Sequence, residues 1–214
     1  MSLRSLSLWS LAFLYTQNFY YDIVPQKKGF MKQQSFIPKH GGYKTLITYQ
    51  KAEIIYDGTI YFTKRFYQKG DRTIDQMVQA ARSGKQNIAE ASLASGTSKE
   101  TEIKLTNVAR ASQEELLVDF RDFARTRSYK EWDKEHPYAK HLRELNWITP
   151  TSYEIFKKGI EHEDPSISVN VMIGLIKVTT YLLGKQIKAL ESDFVQNGGL
   201  RERMTKARIA SRQL

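Results

Sequence analysis

The chain has 214 residues, 41% of them hydrophobic, with no cysteine and a formal net charge of +10. That length suits one domain with extensions, or two small domains, and the apolar content is enough for a sizeable core. The lack of cysteine excludes disulfide frameworks, thiolate nucleophiles and cysteine-ligated zinc or iron–sulfur centres, and it fits a cytoplasmic protein.

Residues 1–42 read as an irregular leader ending at Gly41 and Gly42. Arg4, Lys27, Lys28, Lys32 and Lys39 stand there against Asp22 alone. The apolar run "LWSLAFLY", residues 8–15, follows Arg4 as in a weak signal peptide or short anchor. It falls short of the roughly 20 apolar residues a bilayer span requires, and no small-x-small cleavage site follows. Met31 opens the polar stretch "MKQQSFIPKHGGYKTL" and is the expected native start. No membrane association is expected.

Residues 43–68 contain no proline and a single glycine, Gly58. Leu46, Tyr49, Ile54, Tyr56, Ile60, Phe62 and Phe66 recur at mostly helical spacing, and the length favours helix over strand. "KGDR", residues 69–72, is a turn. A second helix is predicted from Thr73, whose hydroxyl stands three residues before Gln76 as in a capping box, to about residue 93. "ASGT", residues 94–97, breaks it. Thr97 and Glu100 repeat the capping-box spacing and open a third helix over 98–128, with Ile103, Val108, Ser112, Leu116, Phe120 and Phe123 as its inner stripe.

Residues 129–168 change character. Pro137, Pro150 and Pro165 punctuate them, and Trp132, Trp147 and several tyrosines interrupt the charges. They read as an aromatic-rich excursion with one short helix near 137–146. A fourth long helix follows over 169–196, with Val171, Leu175, Leu182, Leu190 and Phe194 on its inner face. Asn197, Gly198 and Gly199 end it, being residues that tolerate left-handed backbone. Residues 197–214 form a basic suffix: Arg201, Arg203, Lys206, Arg208 and Arg212 against Glu202. Basic arms of this kind engage nucleic-acid phosphates or serve as solubilising tails.

The pattern predicts an all-α domain: an antiparallel up-and-down four-helix bundle over 43–196, with the excursion inserted and the suffix appended. "AARSGKQNIAEA", residues 80–91, fits that expectation. Ala80, Ala81, Ser83, Gly84, Ala89 and Ala91 strip bulk from the second helix, and small residues let helix axes approach closely. Gly84 costs about 1 kcal/mol against alanine inside a helix, so it implies a packing need or a kink.

The stretch "QMVQAARSGKQNIAEA", a polar break, and "SKETEIKLTNVARASQEELLVDFRDF" together resemble the four-helix-bundle proteins encoded within intervening sequences of bacterial 23S ribosomal RNA genes. That superfamily includes the accessory variability protein of diversity-generating retroelements. Ala81, Ser83, Asn87, Ile88, Ala89 and Glu90 match the hallmark helix. Gly84, Lys85 and Gln86 replace a segment that usually holds proline, and Ala91 replaces the usual glycine. "YQKAEIIYDGTIYFTKRF" looks like the family's first helix, and "NGGLRERMTKAR" looks like the suffix of a longer branch. The resemblance covers residues 43–128 clearly and the fourth helix loosely. It implies a homopentameric, barrel-like assembly. In the retroelement branch it also implies basic surfaces that bind nucleic acid and a reverse transcriptase.

Candidate sites follow. Asn87 and Glu90, three apart, form a polar interface between helices or subunits, or a solvated face. Arg82 and Lys85, with Arg110 on the next helix, are placed to line a basic surface around a pore or groove. Arg121 and Arg125 stand one turn apart, a spacing that suits successive phosphates; with Asp119 and Asp122 among them, a salt-bridged face is the stronger reading. His40, His136, His141 and His162 form no metal box, and "HED", residues 162–164, reads as loop polarity. No phosphate loop, nucleophile elbow or paired-carboxylate motif is present, so neither an enzyme nor a cofactor is expected. The leading expectation is a non-catalytic oligomer that binds RNA or DNA with little sequence preference. The competing class is a protein-binding scaffold that docks through the suffix or the excursion. An enzyme using Asn87 and Glu90 is a distant third.

Overall fold

The computed structural model describes residues 37–212, and they are all-α, with no strand among them. The apolar run at 8–15 and the start at Met31 lie outside the described residues.

A single 3-10 turn, Tyr43–Thr45, leads into α1, Ile47–Phe66. Helix α2 is Arg72–Ala94, α3 is Lys99–Thr126, α4 is Pro137–Leu145, α5 is Tyr153–Ile160, α6 is Pro165–Asn197 and α7 is Leu200–Arg212. Among the long helices, α2 packs on α1 and α3, α3 on α6, and α6 back on α1, so the four close a ring of neighbours. Helices α4 and α5 lean on α6, and α5 also touches α1.

Helix starts are set by carboxylates and a hydroxyl that accept from orphan backbone N–H groups. The Asp71 carboxylate accepts from Thr73 N at 2.8 Å, so the cap of α2 lies two residues before the expected Thr73. Ser98, rather than Thr97, caps α3 by accepting from Thr101 N at 3.1 Å. Helix α6 begins four residues before the expected start. The Asp164 carboxylate accepts from Ser166 N at 2.8 Å, and Pro165 occupies the first helical position, where its missing N–H costs nothing. Gly198, at φ +69°, ends the helix.

The core has two apolar clusters. The larger gathers Phe62, Phe120 and Phe123, whose ring centroids stand 4.7 to 4.9 Å apart around Phe62. The smaller joins Ala52, Ile88, Ala109 and Leu183. Between these levels of α2 and α3 sit Gly84 and the fully buried Gln113. Gly58 brings α1 against α6, for a Cβ there would lie 2.8 Å from Met172 Sδ. Buried Thr59 and Thr63 return their hydroxyls to the carbonyls of Ile55 and Thr59, four residues back.

The inner faces depart from expectation toward one end. Val171 and Leu175 are buried, but Leu182 and Leu190 are half-buried and Phe194 is 41% exposed. On α3, Val108 is 45% exposed while Ala109 is fully buried. Beyond residue 180, α6 keeps one buried apolar contact, Leu183, and is otherwise held by polar ones: Thr48 Oγ1 donates to Gln186 Oε1 at 2.9 Å and Lys99 pairs with Asp193 at 3.2 Å. The stretch Pro165–Arg212 is long and apolar enough to cross a membrane by length and composition; 61% of its most apolar window is buried, as in the core helix of a packed domain.

The excursion is tied down by specific polar contacts. The Asn170 side chain on α6 accepts from Trp132 N at 2.8 Å and donates to Lys130 O at 3.0 Å. Lys51 of α1, 1% exposed, donates to Asn146 Oδ1 at 2.7 Å, just after α4. Leu142 of α4 seats on Gly174, where a Cβ would lie 2.4 Å from its Cδ2. Trp147 is 85% exposed.

Candidate nucleic-acid interface

The small-residue stretch of α2 builds a polar seam with α3. Ser83 Oγ and Ser112 Oγ share a hydrogen bond of 2.9 Å. Asn87 Nδ2 donates to Ser83 O at 2.9 Å and to Ser83 Oγ at 3.2 Å. Asn87 is therefore turned along its own helix, and Glu90 is exposed, so the two are not brought together. Ala81 and Ile88 are buried, Ala89 half-buried, and Gly84 is filled by the Gln113 side chain. Both amide atoms of Gln113 lack a hydrogen-bond partner among the described residues.

The basic residues separate into groups. Lys85 lies over the Tyr56 ring at 4.1 Å from its centroid, on the α1 side of α2, and Arg82 is exposed on α2. Arg110 points the other way, from α3 to α6, and its guanidinium covers Gly184. These three do not line a common groove. Arg110 instead meets Lys185 and Lys188 of α6 in a shallow groove of about 190 Å³ that Thr180, Tyr181 and Gly184 complete. No carboxylate lines it, and Lys185 Nζ lies 5.5 Å from the centroid of the Tyr181 ring. Three cations gathered without an acid suit phosphate oxygens, and an exposed tyrosine ring beside them suits a nucleobase. Tyr181, Lys185 and Lys188 are spaced at four and three residues along one helix, a signal present in the sequence but masked there by the apolar character of the whole segment.

Arg121 and Arg125 are engaged. Arg121 Nε donates to Glu131 Oε2 at 3.0 Å, and Lys177 reaches the other oxygen of Glu131. Burial alone would raise the Glu131 carboxyl, but these two donors hold it below its ordinary value. Arg125 pairs with Asp122 at 2.8 Å. This is the salt-bridged face.

In the suffix, Arg203 turns inward. Its Nη2 stands 3.4 Å from Gly96 O in the α2–α3 turn, and its Nε is buried without a partner. Arg201, Lys206, Arg208 and Arg212 are exposed. Intervals of seven and four residues set Arg201, Arg208 and Arg212 along one face of α7.

A buried cation, Lys51, carries no mark in the sequence. It has no carboxylate partner; its ammonium has Asn146 and the Phe156 ring, 5.4 Å to the centroid. Burial lowers its pKa from 10.5 to about 8. No group of three or more metal-ligating side chains gathers among the described residues. No family model, curated protein or solved structure matches the chain.

Proposed function

We propose that this protein is an antiparallel up-and-down four-helix bundle of the 23S rRNA intervening-sequence type, non-catalytic and cytoplasmic, that binds RNA or DNA through its phosphates. The observation that carries the reading is the groove of Arg110, Lys185 and Lys188, open and free of carboxylates. The Arg201, Arg208 and Arg212 face of α7 adds a second patch of the same sign. Phosphate contacts supply affinity without base information, so binding is sequence-tolerant. Assembly into a homo-oligomer, a pentamer by the family resemblance, would repeat both patches and turn weak contacts into avidity. A reverse transcriptase is the protein partner that the resemblance suggests.

The test is a salt series with RNA and DNA duplexes and single strands. It compares the full chain with a triple variant, Arg110→Gln, Lys185→Gln and Lys188→Gln. The variant loses affinity uniformly across sequences, and its salt slope flattens by roughly 0.7–0.9 for each phosphate it no longer neutralises.

A second reading, a protein-binding scaffold, is favoured by exposed apolar side chains at the end of α6 and along α7: Phe194 at 41%, Val195 at 83%, Met204 at 40% and Ile209 at 52%. Binding that ignores salt points to it, because docking through apolar side chains is insensitive to screening.

A further inference from the structure

A half-open cavity of about 500 Å³ lies between α4, α5 and the start of α6. Its walls are apolar, with Trp132, Leu145, Ile155, Phe156 and Val171 facing inward from separate segments. Volume and lining match the range in which small molecules are held. The polar lining residues are Tyr138, His141, Lys158 and His162, with no carboxylate among the lining. Glu144, 3.5 Å from His141 Nδ1, stands outside the lining. The His162 ring is oriented by the backbone N–H of Asp164. Its Nδ1 accepts from Asp164 N at 3.0 Å, so the proton of the neutral ring sits on Nε2, which is a donor. Lys158 is exposed and has no ion pair among the described residues. The cavity therefore pairs an aromatic and aliphatic interior with donors and no acceptor acid.

Two features show that this space is built. Gly159, on the wall, lets α5 seat closely on α6, since a Cβ there would lie 3.0 Å from Val171 Cγ2. Trp132 is braced: its ring stacks on His136 at 4.9 Å with 5° between planes, and its backbone N–H is held by Asn170. The Trp132 wall is thus held by His136 and Asn170, neither of which lines the cavity.

We propose that this cavity binds a small amphipathic carboxylate, a medium-chain alkyl or aryl acid. Its apolar body lies against Trp132 and Phe156, and its carboxylate accepts from Lys158 Nζ and His162 Nε2. A neutral ligand of the same shape forfeits those charge-assisted bonds, and a cation meets like charge.

The test uses the full chain with Trp9→Phe and Trp147→Phe, so that Trp132 alone reports, titrated with octanoate and with 1-octanol. Octanoate changes the Trp132 emission saturably and binds about tenfold more tightly than octanol, the worth of one hydrogen bond to a charged group. Lys158→Gln with His162→Gln brings octanoate down to octanol's affinity. Filling the cavity with Ile155→Trp, read by calorimetry, removes binding of both; Leu145→Trp does the same from another wall, and either variant counts once its helical circular dichroism matches the parent. Three results overturn the proposal: equal affinity for octanoate and octanol, undiminished octanoate binding in a folded filled variant, or no binding at all. If, in that last case, Trp132 is already shielded from iodide before ligand is added, the cavity is occupied by another segment of the chain or by a second copy.

Discussion

A Cβ on Gly84 would lie 2.2 Å from Nε2 of Gln113, and 3.0 and 3.2 Å from its Cδ and Cγ. The glycine of α2 and the glutamine of α3 are thus complementary in shape. The glutamine is fully buried with no hydrogen bond among the described residues to hold it, so its position is set by packing alone.

Alanine at 84 gains about 1 kcal/mol of helix propensity but forces Gln113 to move within a closed core, an overpacking cost of roughly 1–3 kcal/mol. We expect Gly84→Ala to destabilise the natural chain. In a Gln113→Ala background the sign reverses, and Gly84→Ala stabilises by about 1 kcal/mol. A double-mutant cycle by urea unfolding reads both values. Stabilisation by Gly84→Ala in the natural background would mean that the glutamine does not fill the notch.

Lys51 makes stability depend on alkaline pH. Its folded pKa is about 8 against 10.5 for the free group, so between those values the unfolded chain binds the extra proton. Stability from this group therefore rises with pH across that window and is flat below it, with a span of up to about 3 kcal/mol. Burial raises Tyr67 to about 12, which opposes the trend only above the ordinary tyrosine pKa of about 10. Lys51→Met removes the buried charge and should be more stable than the parent at pH 7, with the advantage shrinking from pH 8 to 10. Denaturant titrations at four pH values check it; a pH-independent difference contradicts it.

Asn170 is the strap between α6 and the excursion. Asn170→Ala leaves Trp132 N and Lys130 O without their partner and costs roughly 1–3 kcal/mol. Limited proteolysis should accelerate selectively between 129 and 150, and Trp132 emission should shift to the red. Uniform acceleration along the chain would place the strap elsewhere.

Long-range periodicity makes the four long helices and the all-α class legible, because each buries a stripe that recurs every three or four residues. The caps are harder to place, because Asp71, Ser98 and Asp164 stand within a residue or two of equally good candidates, and only geometry decides between them. Helix α5 leaves no periodic signal: eight residues between Pro150 and Pro165 give too few turns for a period to show. The ion pairing of Arg125 is legible because Asp122 is three residues away. That of Arg121 is not, since Glu131 lies ten residues on, in the excursion. The Arg110 groove stays hidden in the sequence because its other half comes from a helix that reads as core throughout.

The most direct test of the central claim is the salt dependence of nucleic-acid binding by the full chain, compared with the Arg110, Lys185 and Lys188 triple variant. The account predicts tight binding at low salt, a linear fall of log affinity with log salt, and a slope flattened by about two to three units in the variant. Equal slopes for the two proteins, or no binding at low salt, would contradict it.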